Sequence, residues 1–462
     1  MRPQRWLPVA ALAVAALLLA GTLALFWPGF VEYDSVRQYE QLLTGRYDDW
    51  HPPAMARFWA GLRLLFGAGA GPMLVAQLGG YWLGLGLLSA ALARRGRSVA
   101  GAGVLAIGLW PVFLGWQVAI LKDGQQVAAM LAAVGLIGWW RLAGQRLPWA
   151  ARTAVAVLLI YALLVRANAV FAVAPLVALT LSRGRRLVAG TAIVAATLAL
   201  SPIVNHRLLG AEASRVTRTQ PLYDLAGIAV RSPGAGAFTG AEALALRRHG
   251  CVTPFFWDPL DDVPGCSAAT ARIDAWSAGQ LYAALARAVL LHPIAYAQHR
   301  LAHLNSTDRW LVPYRWPGAE PPMASEPNAL GLVPPGGSAI VWQTWSRPLA
   351  TTPAGWPVLW IVAGVAALIA GRARSDADAA LARALIGSAL MLEASFAVVS
   401  IASDLRYHLW PMLAIALGLV LLGRGWSRRR AGATLLAMLL VTATGAAARL
   451  LLPADAAVAR IG

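Results

Sequence analysis

Long apolar runs alternate along this chain with short polar connections, most of them carrying arginine. Runs near 7–26, 72–92, 99–118, 125–140, 150–165, 168–181, 187–204, 353–370, 382–402, 408–423 and 431–451 predict eleven transmembrane helices. The connections sort by charge. Arg2/Arg5, Arg94/Arg95/Arg97, Arg141/Arg146/Arg152, Arg183/Arg185/Arg186, Arg372/Arg374 and Arg424/Arg428/Arg429/Arg430 fall on alternate loops, which the positive-inside rule makes cytoplasmic. No small-residue cleavage site follows the first run before Trp27-Pro28, so it is read as an uncleaved span rather than a secretory signal.

The other face then receives the Pro28–Gly71 loop, the Leu121–Asp123 turn, the Arg166–Asn168 turn, the stretch 205–352 and the segment Ser403–His408. Every chemically distinctive polar cluster therefore lies on the non-cytoplasmic side. A transporter would spread polar groups near the bilayer midplane, often in internal repeats, and no such repeat is visible. The expected division is an N-terminal membrane module (1–204) with a catalytic first outer loop (27–71), a periplasmic loop domain (205–352) and a C-terminal membrane module (353–462).

Composition supports the same class. Of 462 residues, 58% are hydrophobic and only 13% charged, where a soluble domain carries about 25%. The net charge of +18 does not indicate nucleic acid, because the basic residues are dispersed in short clusters between apolar runs. Within 205–352 a helix is expected from about 270 to 304, interrupted at His292-Pro293. An irregular Trp/Pro-rich piece from Trp310 to Trp345 follows, suited to a lid resting on headgroups. The only cysteines, Cys251 and Cys266, both fall in this outer region, where an oxidising compartment favours a disulfide between them.

The densest chemistry lies between Pro28 and Pro53, where Glu32, Asp34, Glu40, Asp48, Asp49 and His51 stand among aromatic residues beside a span. Lys122, next to Asp123, is the single lysine of a chain with 38 arginines. A lysine offers a compact charge with rotatable donors, suited to one phosphate oxygen. Arg166 and Asn168 interrupt an apolar run, and Asp404, Arg406, Tyr407 and His408 form a third cluster at the outer end of a late span. Transfer of a glycosyl group from a lipid phosphate needs a base for the acceptor hydroxyl and fixed positive charge where the phosphate leaves. Asp34 is the best candidate for the base, with Asp48 and Asp49 as alternatives. Acidic residues followed by histidine also suit a divalent metal, but no specific ligand spacing is present and metal use stays open. No glycine-rich phosphate loop, nucleophile elbow, HExxH or CxxC pattern occurs.

On Glu32-Tyr-Asp34-Ser35, Asp49-Trp-His51-Pro-Pro53, Lys122-Asp123, Arg166-Ala-Asn168-Ala and Asp404-Leu-Arg406-Tyr407, taken in that order, the chain resembles the GT-C superfamily of polytopic glycosyltransferases. The likeness is to bacterial enzymes that use polyprenyl-phosphate sugars. The resemblance implies an all-α polytopic membrane protein, a GT-C-like bundle of about eleven helices with a periplasmic loop domain. Two amphipathic helices, near Glu32–Leu43 and Ala54–Phe66, are expected in its first outer loop. It implies Asp34 as the residue activating the acceptor, with Asp123 as a second acidic position, while Asp49 stays a catalytic candidate on the reading of the residues alone. Lys122, Arg166, Arg406 and Tyr407 would meet the carrier phosphate, while Glu32, His51, Asn168, Asp404 and His408 would serve acceptor binding or support. The implied partners are a polyprenyl-phosphate sugar donor, a periplasmic glycan, glycolipid or protein acceptor, and the bilayer of a bacterial inner membrane. No cofactor is implied with certainty. The alternatives are a lipid-linked glycan transporter or flippase, and an envelope glycan polymerase. The 205–352 stretch has no counterpart in the resemblance and is expected to help choose the acceptor.

Overall fold

Every apolar run of the sequence forms a helix in the computed structural model, which describes residues 6–181, 183–423 and 428–453. The N-terminal half contributes α1 (Leu7–Phe26), α2 (Tyr33–Thr44), α3 (Ala54–Phe66), α4 (Gly71–Arg94), α5 (Ser98–Gly108) and α6 (Pro111–Gln117). It continues with α7 (Lys122–Arg141), α8 (Trp149–Val165), α9 (Val170–Thr180) and α10 (Arg183–Pro202). The 205–352 stretch, the outer region of the expected topology, holds α11 (Thr219–Arg231), α12 (Gly240–Arg248), α13 (Pro259–Asp262), α14 (Pro264–Asp274), α15 (Ala278–Leu291), α16 (Pro293–Thr307) and α17 (Gly337–Thr351). The bundle closes with α18 (Pro357–Gly371), α19 (Ala377–Val399), α20 (Leu409–Leu422) and α21 (Arg428–Leu451). The protein is an all-α polytopic membrane protein.

Among the described residues six helices are long and apolar enough to cross a membrane, or seven if the bent pair α5–α6 is one broken span. The remaining expected segments are present but shorter (α8, α9 and α18) or, in α7, polar at the start with Lys122, Asp123, Gln125 and Gln126. A short helix needs a locally thinner bilayer or snorkelling flanks to span, whereas a polar start needs burial among neighbours. α7 takes the second route and is buried along most of its length. Its crossing with α4 is set by glycine: a Cβ on Gly84 would collide with the Leu131 backbone, and one on Gly135 with the Gly84 backbone. The apolar window of α10 is 0% buried and that of α21 only 6%, so both turn their leucines to lipid.

The arginine-bearing connections gather at one end of the bundle. Arg95 and Arg97 both pair with Asp378 at the start of α19, and Arg97 also donates to the Val420 carbonyl at 3.0 Å. Arg374 reaches the Leu422 carbonyl at 3.0 Å. Arg2, Arg5 and Arg424 lie outside the described residues.

The opposite end carries the first outer loop and the 205–352 region. A parallel pairing of Tyr47–Asp48 with Ala211–Glu212 stitches the two together. The helix expected over 270–304 is two helices, α15 and α16, broken at His292-Pro293, with α14 before them. Around α11–α16 Tyr223, Leu225, Leu246 and Leu281 form a separate small core, which includes the Cys251–Cys266 disulfide. The Trp/Pro-rich piece is irregular as far as residue 336, but the expectation fails for Trp342 and Trp345, which lie on α17. That helix docks on α6 through Gln343 to the Gly115 carbonyl (2.9 Å) and Ser346 to the Pro111 carbonyl (2.6 Å), contacts no local pattern could foretell.

Candidate functional site

Asp34 is positioned by backbone pairing between two distant outer segments. Phe30 bridges to Ala119, with the Phe30 N–H donating to the Val118 carbonyl at 3.1 Å and the Ile120 N–H to the Phe30 carbonyl at 2.8 Å. The Ser35 hydroxyl, in the first turn of α2, donates to the Ile120 carbonyl. Beneath them the Gln77 amide donates to the carbonyls of Gln117 (2.6 Å) and Ala119 (2.8 Å), and Gln125 donates to Gln77 at 3.0 Å. These buried amides hold the α6–α7 connection rigid, as polar groups without water must be held. The result sets the first turn of α2 against the first turn of α7, and so Asp34 against Lys122.

Asp34 sits between two cations and a neutral histidine. Its carboxylate lies 3.3 Å from Arg406 Nη1 and 3.8 Å from Lys122 Nζ, with His51 Nε2 at 3.9 Å. Lys122 Nζ donates to His51 Nδ1 at 3.1 Å. Burial alone would push the Asp34 carboxyl up, but Arg406 and Lys122 overcome it and hold the group well below the ordinary carboxylate range. Burial, reinforced by Lys122, pushes the His51 imidazole down to about 3, so it is neutral and free to accept from the lysine. Glu32, immediately before α2, moves the other way: burial pushes its carboxyl up to about 7, with Arg406 opposing and Asp34 assisting.

The second tier is built on Asp123. Arg166, at the α8–α9 junction, pairs with the Asp123 carboxylate and donates to Asn168 Oδ1 at 3.0 Å. Its guanidinium lies 4.2 Å over the Tyr407 ring. Arg406 Nε lies 3.9 Å from Asp123 and 3.5 Å from Asp404, and neither Arg406 Nε nor Asp123 Oδ2 has a hydrogen-bond partner. Gly318, at φ +73°, lets the Trp/Pro segment approach this point, since a Cβ there would meet Asp404 and Phe255. Four sequence segments more than forty residues apart thus converge on one charged centre.

This centre opens into a cavity of about 770 Å³ lined by Asp34, Trp50, His51, Lys122, Asp404, Arg406 and Tyr407 on the membrane side and by Phe255–Asp258, Asp261 and Asp262 from the outer region. A second cavity of about 280 Å³, reaching Asp49, Arg166 and Asn168, adjoins it through Trp50, Lys122 and Tyr407. An apolar groove of about 750 Å³ runs between α3 and α4, lined by Trp27, Leu62, Phe66, Val75, Leu330 and Val333.

Of the residues singled out from sequence, Asp34, His51, Lys122, Asp123, Arg166, Asn168, Asp404, Arg406 and Tyr407 come together, with Glu32 at the edge. Three do not face Asp34 in the same way. Asp49 accepts from the Ser214 N–H (2.6 Å) and hydroxyl (2.5 Å) and lies 3.5 Å from His206, which anchors the first loop to the outer region. Asp48 accepts from the Trp50 N–H at 3.0 Å. His408 is buried away from the cavity, with Nδ1 2.8 Å from Glu393 and Nε2 3.0 Å from the Thr307 hydroxyl. Asp48, Asp49 and His51 therefore do not converge as a metal set. Among the described residues, the group with ligand atoms close enough for an ion is Asp308, Glu393 and His408, within 4.8 Å of one another. Missed from sequence was the Phe-Phe-Trp-Asp run at 255–258, for which the two flanking cysteines were the available signal, while Trp50 stood in the Asp49–Pro53 motif without a role in the cavity.

No family model matches the chain, and no curated protein matches it in sequence. Among solved structures the chain is similar to ArnT from Cupriavidus metallidurans, crystallised bound to undecaprenyl phosphate. The identity is 18% and the TM-score 0.31, over 90% of this chain and 77% of that one. So loose a superposition carries no residue or activity across.

Proposed function

We propose that the protein is an inverting GT-C-type glycosyltransferase that moves one sugar from a polyprenyl-phosphate donor to an acceptor at the outer face of a bacterial inner membrane. The observation that carries this is the Asp34 carboxylate held within 4 Å of Lys122, Arg406 and His51 at the floor of a 770 Å³ cavity. A base for a hydroxyl and a cationic seat for a phosphate are the two requirements of the reaction, and here they touch.

In this mechanism the carrier phosphate binds Lys122, Arg406 and, through the adjoining cavity, Arg166. The positive end of the α7 helix dipole lies in the same place. Before the phosphate arrives Asp34 is a weak base, because the cations stabilise its charge. Once the phosphate takes those cations, the carboxylate regains basicity. It then accepts the acceptor hydroxyl proton as the oxygen attacks the anomeric carbon. The carbon–oxygen bond to phosphate breaks, and the polyprenyl phosphate leaves with the electron pair. The apolar groove beside α3 and α4 would house part of the isoprenoid tail. Asp123 acts as a positioning residue for Arg166 and Arg406, and Asp49 holds the first loop closed on the outer region.

No observation favours a transporter: the charged centre lies at the outer ends of α2 and α7, and not along a path to the arginine-rich end. The test is mass spectrometry of envelope glycans, glycolipids and glycoproteins from a deletion strain complemented with wild type or Asp34→Asn. Loss of one sugar-sized mass, restored only by wild type, is expected and identifies the acceptor. Full complementation by Asp34→Asn, or accumulation of undecorated lipid-linked intermediates on the cytoplasmic side, would overturn the proposal.

A further inference from the structure

The cavity that holds Lys122 and Arg406 is also lined by one short covalently closed segment rich in carboxylates. The disulfide joins Cys251 to Cys266, and the residues between them supply Phe255, Phe256, Trp257, Asp258, Asp261 and Asp262 to the cavity wall. The segment is fixed to the membrane module at a specific place. Phe256 bridges to Ala402, and the Trp257 N–H donates to the Ile401 carbonyl at 3.0 Å, two residues before Ser403-Asp404. The Tyr223 hydroxyl donates to the Thr253 carbonyl at 2.5 Å from the small core behind it. Trp257 meets Trp50 of the first outer loop at 5.7 Å between ring centroids, so the aromatic surface continues across the junction of the two segments. Three carboxylates on one wall repel one another. Burial, aided by Asp262 and Asp404, pushes the Asp258 carboxyl up to about 6. Carboxylates beside a tryptophan face match a sugar ring, whose hydroxyls donate to oxygen and whose C–H face packs on an aromatic. They oppose any ring bearing a negative charge.

Resting on the transferase proposal above, we propose that the loop 251–266 is the sugar-recognition wall of this site. It accepts a ring that presents hydrogen-bond donors and rejects sugars bearing a carboxylate or phosphate. Phosphate chemistry and sugar choice are then divided between two segments: Lys122 and Arg406 seat the carrier, and Trp257 with Asp258, Asp261 and Asp262 reads what is attached to it. The disulfide shortens the loop's freedom so that the wall is set before the substrate enters.

The experiment uses the full chain in lipid nanodiscs with three probes: bare polyprenyl phosphate, the same lipid carrying glucose, and the same lipid carrying glucuronate. Dissociation constants are measured for wild type, Asp258→Asn/Asp261→Asn/Asp262→Asn and Trp257→Ala. Bare lipid serves as the fold control for every variant, since its proposed seat, Lys122 and Arg406, belongs to other segments of the chain. Wild type is expected to prefer the glucosyl over the glucuronosyl lipid by at least about tenfold. The triple variant is expected to bring that ratio towards one, and Trp257→Ala to weaken the glucosyl probe selectively. A wild type indifferent to sugar charge, or a triple variant that binds bare lipid and keeps the wild-type ratio, would overturn the inference while leaving the transferase proposal standing. Failure of wild type to bind bare lipid would remove the phosphate seat itself, and both proposals with it.

Discussion

Replacing Asp34 with Asn separates its two proposed roles, because removal of the charge would affect chemistry and phosphate binding in opposite directions. As general base the carboxylate is worth roughly 10²- to 10⁴-fold in rate, so turnover should fall by that amount. As an anion it competes with the incoming phosphate for the same cations. At an effective dielectric of about 20, the 3.3 Å separation from Arg406 corresponds to an attraction of about 5 kcal/mol and the 3.8 Å separation from Lys122 to about 4 kcal/mol. Desolvation cancels most of both. A residual of about 1–2 kcal/mol is released when Asn stands in place of the carboxylate, so polyprenyl phosphate should bind roughly five- to thirtyfold tighter. The assay is a titration of bare polyprenyl phosphate into nanodisc-embedded wild type and variant, beside single-turnover transfer once the donor sugar is known. A variant that turns over within about threefold of wild type would refute the base. A variant that binds the lipid more weakly would refute the shared-cation picture, since a merely structural aspartate has no reason to hinder phosphate.

Three further outcomes follow from the same geometry. Arg166→Gln leaves Asp123, only 3% exposed, without its main partner, and should lower stability by about 3–5 kcal/mol in thermal unfolding, with the added change Asp123→Asn recovering part of it. His51 is neutral in the fold, with its imidazole depressed from 6.5 to about 3, so the stability it contributes is fully present above pH 6.5 and lost as pH falls towards 3. That acid limb, about 1.4 kcal/mol per pH unit, should flatten in His51→Gln when denaturant midpoints are compared from pH 4 to 7. Gly84→Ala drives a methyl into the Leu131 backbone, where no side chain can yield, and should cost about 1–3 kcal/mol by separating α4 from α7. Its polyprenyl phosphate affinity should fall with it, because α7 carries Lys122.

The parts of this architecture legible in the sequence are those carried by local composition. Apolar runs located the long apolar helices among the described residues, and the alternation of arginines sorted the loops well enough to group Glu32, Asp34, Lys122, Arg166 and Arg406 together. What local composition does not carry is pairing at a distance. Asp49 read like Asp34 because both stand among aromatics, but the parallel pairing of Tyr47–Asp48 with Ala211–Glu212 turns Asp49 onto Ser214. His408 read like its neighbours Asp404 and Arg406, but the tight turn at Leu405–His408 rotates it into the core, against Glu393 and Thr307. Trp342 and Trp345 read as irregular because of the prolines before them, while the docking of α17 on α6 made them helical.

The least legible feature is the one with most bearing on the proposed selectivity. Nothing periodic marks residues 255–262 as a wall of the site, since they reach it through one bridge at Ala402 and one backbone bond at Ile401. Those two contacts join the outer region to the turn that carries Asp404 and Arg406. They fix where the acidic segment sits relative to Arg406. That coupling supplies a reason for the disulfide in physical terms. A wall free to shift relative to its own phosphate seat would lose discrimination between sugars before it lost affinity for the carrier. Reduction of Cys251–Cys266 should accordingly narrow the glucosyl-to-glucuronosyl ratio at nearly constant affinity for bare lipid. A fall in both together would show instead that the disulfide holds the outer region on the membrane module as a whole.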